Sequence, residues 1–382
     1  MARKIVVGPA GFGAVIAMCF CVSMLEGFDL QIIGIVAPQL IPYFKLSPSE
    51  AGQAFAASTI GLVIGAVLFG WLADRIGRKR VLIGSVAAFG IFSLATMVAQ
   101  DYSHLYLCRL LTGVGIGGLM FSGMPLGGGS VALIALLAPG LDWRTVFGIG
   151  GLLPLVLVPL LAFGLKEDVV GAPAADVAAP KSAANPARVL FGNGRTPATL
   201  LLWVTYFLTL IVLYLLLNWL PTLVVAKGMT KADGSLVSLV FNLASVVGAI
   251  FIGRSVDRFG MRWPLAVTYL LLVGSTMLMA QAPGLLTFAI AAGGAGAFVI
   301  GAQYSLYGVA PAFYPQGHYG TGAGAAVAFG RLGSIIGPML GGQLLASGAS
   351  PSQVIAAMTP VSIVAGLAVV ALSFIRPRTD AL

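Results

Sequence analysis

Charge is scarce in this 382-residue chain: Lys, Arg, Asp and Glu make up 9% of it, against 59% hydrophobic residues and a mean hydropathy of +1.01. A soluble domain carries about 25% charged residues, so no water-facing surface can be built from this alphabet. Soluble enzyme folds and nucleic-acid binding are excluded on the same ground. Cysteine is sparse too, and Cys19, Cys21 and Cys108 all lie inside apolar segments, which removes any disulfide framework and leaves them as packing residues. No phosphate-cradling loop of the Gly-x4-Gly-Lys-Ser/Thr kind is present, which argues against ATP drive and nucleotide binding. No spacing of His, Cys or carboxylates suggests a metal. Alternating strands of membrane-spanning length are missing as well, and that excludes a β-barrel.

What remains is apolar sequence in runs of about twenty residues, the length of a membrane-spanning helix. Polar breaks place spans near 12–41, 51–73, 81–100, 104–119, 120–139, 145–165, 198–220, 235–254, 263–281, 284–309, 321–346 and 353–375. Arg3 and Lys4 before the first run resemble the start of a signal peptide. Glu26 and Asp29 interrupt that run, so it reads as a retained span. If both termini are cytoplasmic, fifteen loop and terminal cations face inward and only Lys45, Arg144, Lys227 and Lys231 face outward. That is the bias of a bacterial inner-membrane protein.

Residues 166–197, rich in Ala, Pro and Asn, cannot bury a core and read as a flexible cytoplasmic linker between an N-terminal half, 1–165, and a C-terminal half, 198–382. The halves repeat. Gly70-Trp-Leu-Ala-Asp74-Arg75-Ile-Gly77 recurs 183 residues later as Gly253-Arg-Ser-Val-Asp257-Arg258-Phe-Gly260, and such duplication marks secondary transporters. Measured from the repeat to the end of each half, the first is short by about 28 residues, and the shortfall falls in the uncharged stretch 110–141. A single crossing there would invert everything downstream and destroy the charge bias. A shortened helical hairpin with its turn near Gly117 to Gly123 is therefore expected.

Four groups of residues carry candidate chemistry. In the repeated loop, Gly70 and Gly77 permit close approach and a tight turn, and Asp74, Arg75, Arg78, Asp257 and Arg258 can form a latch that breaks as the halves rock. Glu26 and Asp29 lie three apart within an apolar run, where an ionised carboxylate is expensive. Two such acids together can take up protons reversibly, or one can lock the bundle by pairing with an arginine; both roles can coexist. Arg109 and Arg331 are the basic residues placed well inside spans, and a guanidinium cannot shed its charge there. Acids that can be neutralised beside arginines that cannot favour uptake of an anion together with protons. Tyr214 and Asn218, and the cluster Gln303, Tyr304 and Tyr307, could stack on and hydrogen-bond a planar ligand. Trp219 suits either that role or an interfacial belt.

The combination of spans, linker and repeated loop resembles the major facilitator superfamily. Within it, the chain is similar to the aromatic acid:proton symporters through Glu26-Gly-Phe-Asp29-Leu-Gln31, the Gly70 to Arg80 loop, Arg109-Leu-Leu-Thr-Gly113-Val-Gly115, Trp143-Arg-Thr-Val-Phe147, Tyr214 through Pro221, Gly301-Ala-Gln303, Tyr314-Pro315 and Gly330-Arg331-Leu-Gly333. The resemblance implies an all-α polytopic membrane fold of two six-helix halves, here with helices 4 and 5 shortened or merged. It further implies proton-coupled import of small aromatic carboxylates such as benzoates by a monomer without a cofactor, the proton being the coupling ion. Glu26 and Asp29 would carry protons, Arg109 and Arg331 would hold the carboxylate, and Asp74 and Asp257 would stabilise the inner gate. The chain departs from the family after Gly118, passing almost at once to Phe121-Ser-Gly123. Another organic anion or a sugar acid as substrate stays open, as does a sensor or decayed paralogue that does not transport.

Overall fold

In lipid no water satisfies the backbone, so a spanning segment must close its own hydrogen bonds, as a helix does. The computed structural model describes residues 9–118, 124–165, 185–315 and 318–375, and every regular element among them is helical. The order is α1 (Pro9–Phe44), α2 (Pro48–Ile76), α3 (Arg78–Thr96), α4 (Tyr102–Ile116), α5 (Met124–Leu137) and α6 (Trp143–Gly164). There follow α7 (Pro186–Phe191), α8 (Thr196–Ala226), α9 (Lys231–Phe259), α10 (Arg262–Gln281), α11 (Leu285–Val309), α12 (Tyr319–Ala346), α13 (Pro351–Ala356) and α14 (Met358–Leu372). Ten helical stretches among the described residues are long and apolar enough to cross a membrane. The chain clusters into two compact units, Met1–Leu46 with Gln53–Ala175 and Ser47–Gly52 with Asp176–Leu382.

Helices α4 and α5 are separate and short, with 15 and 14 residues. At about 1.5 Å per residue they are ~21–23 Å long, against a hydrocarbon core of about 30 Å. Among the described residues both helices are therefore short of a full span. Gly117 and Gly118 follow α4 directly, while 119–123, where the turn is expected, lie outside the described residues.

Lipid tails are as apolar as leucine, so helices in a bilayer associate through close packing. In the first unit α2 and α4 meet at glycines. A Cβ on Gly113 would run into the Ser58 carbonyl, and one on Gly61 into the Leu110 carbonyl. Beside this crossing, Val22 and Leu30 of α1, Val86 and Phe89 of α3, Ile116 of α4 and Leu161 of α6 form a buried apolar cluster. In the second unit a stripe on α12 does the same against α8: Gly333 meets the Phe207 carbonyl, and Gly341 seats the Trp219 indole. Trp219 is buried, and its Nε1 donates to the Pro338 carbonyl at 2.8 Å, so it is a packing residue rather than a belt residue.

Two expectations change here. The last span remains one crossing stretch, Pro351–Leu372, but its helix is interrupted at Ala357 between α13 and α14, where Pro360 has no N–H to offer the Ala356 carbonyl. The 166–197 segment is not a featureless linker to its end. Residues 166–184 lie outside the described residues, but Pro186 opens α7, capped by the Asn185 side chain on the Ala187 N–H at 3.0 Å. The carbonyls at the end of α7 are then taken up by Arg195, just before α8, and by Thr199 within it. Arg195 Nε donates to Val189 O at 2.9 Å and Nη2 to Arg188 O at 3.1 Å, while Thr199 donates to Leu190 O at 2.7 Å. Val189 is fully buried in this docking. Burial draws the Arg195 guanidinium below its ordinary pKa and pushes the Tyr314 phenol, 3.2 Å from the Thr199 hydroxyl, above its own.

Candidate functional site

Both acids of α1 are buried, Glu26 at 6% exposure and Asp29 at 0%. Asp29 grips Arg109 of α4 with both oxygens: Nη2 donates to Oδ2 at 2.7 Å and Nη1 to Oδ1 at 3.0 Å. Nη2 also reaches the Asp29 main-chain carbonyl at 3.0 Å, and the Ser93 hydroxyl of α3 donates to Oδ1 at 3.1 Å. Such a two-pronged guanidinium–carboxylate pair is the strong, orienting form of the interaction. The Phe147 ring of α6 lies 5.3 Å from the guanidinium carbon, and Arg109 Nε has no hydrogen-bond partner among the described residues. Arg109, expected to hold a substrate carboxylate, thus already has one, and the pair ties α1, α3, α4 and α6 together. Ser93 and Phe147 give no chemical signal in the sequence, since each is an ordinary residue of an apolar run.

The second unit holds the other arginine. Arg331 of α12 donates from Nη1 to the Tyr214 hydroxyl of α8 at 3.1 Å, and Asn218, one turn on, donates to the Tyr214 carbonyl at 2.8 Å. Tyr214 and Asn218 are both buried. On α11 the rings of Tyr304 and Tyr307 are 6.1 Å apart, and Tyr307 lies 5.7 Å from Tyr206 of α8, an aromatic residue the sequence reading did not single out. Gln303 is 1% exposed, yet neither its Oε1 nor its Nε2 has a partner among the described residues; the same is true of Asn218 Oδ1 and the Tyr206 hydroxyl. A buried polar group left without a bond costs about 1–3 kcal/mol, and such groups need a reason.

A ligand that completes the amide is one reason, and it can be tested. Gln303→Leu removes the unsatisfied groups at similar volume. The variant should raise the unfolding temperature of the ligand-free protein, by the equivalent of about 1–3 kcal/mol, while weakening ligand-induced stabilisation. Thermal unfolding with and without ligand reads both effects, and a variant less stable than its parent would show that the amide is bonded internally.

The repeated loop keeps its backbone geometry in both copies. Gly77 has φ 92° and Gly260 φ 74°, a region that favours glycine, and each marks the turn between consecutive helices. Gly70 departs from expectation: a Cβ added there, or on its counterpart Gly253, would meet nothing within 4 Å, so neither serves close packing among the described residues. Asp74, Arg75, Arg78, Asp257 and Arg258 are exposed, and among the described residues no ion pair joins the aspartates to these arginines. Instead the arginines lean on rings, Arg75 at 3.9 Å from Trp71 and Arg258 at 5.3 Å from Phe259. Among the described residues no group of three or more His, Cys, Asp or Glu could hold a metal ion.

Comparison with known proteins places these features. The family model for the Major Facilitator Superfamily matches residues 19–126, 118–306 and 202–382. The chain is 39% identical over 393 residues to a 3-(3-hydroxy-phenyl)propionate transporter of Escherichia coli (strain K12), covering 96% of each. It is 33% identical to a gallate transporter of Pseudomonas putida, over 87% of this chain and 86% of that one. It is also 33% identical to the 4-hydroxybenzoate transporter PcaK of Pseudomonas aeruginosa, over 90% and 88%. Among solved structures it is similar in fold to a bacterial homolog of the human lysosomal transporter Spinster, with TM-score 0.76 and 16% identity over 96% of this chain and 98% of that one. A D-xylose-proton symporter matches with TM-score 0.73 and 15% identity, over 97% and 100%.

Proposed function

This chain belongs to the Major Facilitator Superfamily, and from that premise we propose that it imports small aromatic carboxylates across the bacterial inner membrane together with protons. It is a multi-pass membrane transporter and not an enzyme. The observation that carries the substrate class is the full-length identity, 33–39%, to three transporters whose named substrates are all hydroxylated aromatic carboxylates. The chemistry of the second unit supports the same class. Arg331, already oriented by Tyr214, supplies the cation for a carboxylate; Tyr206, Tyr304 and Tyr307 offer ring faces; and the Gln303 amide can both donate to and accept from a ring hydroxyl.

Coupling is assigned to the first unit. Both terminal nitrogens of Arg109 are engaged by Asp29, so a proton arriving on Asp29 weakens the grip and frees Arg109 for an incoming anion. Glu26, one turn away in the same buried helix, is the second proton carrier. Asp74 and Asp257 stabilise the closed inner gate, both termini are cytoplasmic, and the working unit is the monomer.

Proteoliposomes given labelled 4-hydroxybenzoate and an inward proton gradient should accumulate it above the outside concentration, and a protonophore should abolish the accumulation. Glu26→Gln should lose concentrative uptake while retaining ligand binding. Uptake indifferent to the protonophore would sink the coupling, and the absence of aromatic-acid binding would sink the substrate class. A second reading, binding without flux, draws on the short α4 and α5 of 15 and 14 residues. It predicts ligand-induced stabilisation with no uptake, and recovery of uptake when about 28 residues, the length by which the first half falls short, are restored between Gly118 and Phe121.

A further inference from the structure

Beside the Gly260 turn, α9 and α10 leave an open groove of about 350 Å3, lined also by Phe298 of α11. Ile252 and Phe259 form one wall, and Trp263 and Val267 the other. Its polar side chains are turned away: Ser255 donates to the Phe251 carbonyl of its own helix and Thr268 to the Pro264 carbonyl, each at 2.7 Å. With their hydroxyl protons committed to the helix, neither offers an occupant a free donor, and the lining is otherwise apolar. Phe259 and Trp263 remain 65% and 68% exposed, large aromatic surfaces at the end of a spanning segment.

The rim at that end is cationic. Arg254, Arg258 and Arg262 are exposed within one short stretch that carries a single acid, Asp257. Two of these arginines stand on the aromatic walls themselves, Arg258 with its guanidinium carbon 5.3 Å from the Phe259 ring and Arg262 with its own 5.4 Å from Trp263. Arg262 is further held 4.0 Å over Phe374, beyond the end of α14. Cation–π contact fixes a guanidinium while leaving its N–H donors free to point outward.

An apolar trough that ends at two fixed guanidinium groups is complementary to one kind of molecule in a bilayer, an amphiphile with a hydrocarbon tail and an anionic head. We propose that this groove is a binding site for an anionic phospholipid, with one acyl chain lying along Ile252, Val267 and Phe298 and the headgroup phosphate held by Arg258 and Arg262. A free aromatic anion could satisfy the arginines but leaves the trough unfilled. A zwitterionic lipid fills the trough but brings its own cation to a rim already positive. Under the topology proposed above the site lies in the inner leaflet, where the anionic surface potential makes each basic residue worth roughly a five-fold change in binding.

The test uses the full-length protein in mild detergent, with native mass spectrometry after addition of phosphatidylglycerol or phosphatidylcholine. Phosphatidylglycerol should remain bound under conditions that strip phosphatidylcholine. Arg262→Gln and Arg258→Gln should each lower its retention roughly five-fold, and Val267→Trp, which fills the trough, should lower it with the charge intact. Should a variant fail to fold, the wild-type protein is irradiated with a phosphatidylglycerol carrying a photoreactive acyl chain, which should label the segment around Trp263 and Val267. Equal retention of both lipids, retention unaffected by either arginine, labelling confined to other helices, or displacement of the lipid by 4-hydroxybenzoate would each overturn the assignment.

Discussion

Asp29→Ala lowers the stability of the protein by about 3–5 kcal/mol, because it strands the Arg109 guanidinium, fully buried, without its carboxylate. Arg109→Met is expected to cost a similar amount by stranding Asp29 with, among the described residues, only the Ser93 hydroxyl as partner. The decisive member of the cycle is Asp29→Leu with Arg109→Met, which replaces the pair by apolar side chains of similar bulk. Desolvating two ions consumes most of what their attraction returns, so the double variant should recover the greater part of the lost stability. It should nevertheless fail to concentrate substrate, since the carboxylate that releases Arg109 on protonation, and Arg109 itself, are both gone while Glu26 alone remains. Thermal unfolding in detergent and uptake in proteoliposomes separate the two roles. A double variant as unstable as the singles would mean that these positions cannot be repacked, and one that still accumulates substrate would remove Asp29 from the coupling.

The crossing of α2 and α4 gives the second large effect. Gly113→Leu places a branched side chain where the Ser58 carbonyl already stands, and backbone cannot yield as a flexible side chain can. Even Gly113→Ala should cost about 1–3 kcal/mol through overpacking; the leucine variant should cost more and leave little folded protein. Gly84→Ala is the matched control. Gly84 lies inside α3 with nothing within 4 Å of an added Cβ, so the same change there should stabilise by about 0.5–1 kcal/mol through the loss of glycine's backbone freedom. Opposite signs in the two unfolding curves would locate the effect in the helix crossing, and a neutral Gly113→Ala would deny the close approach.

Much of this was legible in the residues because the membrane makes deviations conspicuous. Apolar runs read as helices, and the repeated Asp-Arg-x-Gly revealed two halves whose Gly77 and Gly260 share a positive φ. Four interior charges stood out against lipid for the same reason. Which acid served which arginine was not legible, because Asp29 and Arg109 are 80 residues apart and only the packing of α1 on its neighbours joins them. Trp219 was left open between a ligand-facing and a belt role because its partners, Gly341 and Pro338, lie on a helix more than a hundred positions away. Arg195 passed for a solvated linker cation, since nothing local says that α7 will fold back and present its carbonyls to it. The unsatisfied Gln303 amide was visible as a polar residue in an apolar run, but only the structure shows both ends of it without a partner among the described residues.

The shortness of α4 and α5 also acts on the bilayer itself. Leu126, Leu133 and Leu137 of α5 are exposed, so this 14-residue helix presents a lipid-facing side. Where the described ~21 Å of α5 faces lipid beside a core of about 30 Å, the surrounding lipid is expected to thin, at a fraction of a kcal/mol per ångström of hydrophobic mismatch. The elastic load is expected along the exposed side of α5 in the first unit. Membrane thickness thereby becomes a variable to which this protein is mechanically coupled, as it would not be with helices of full length.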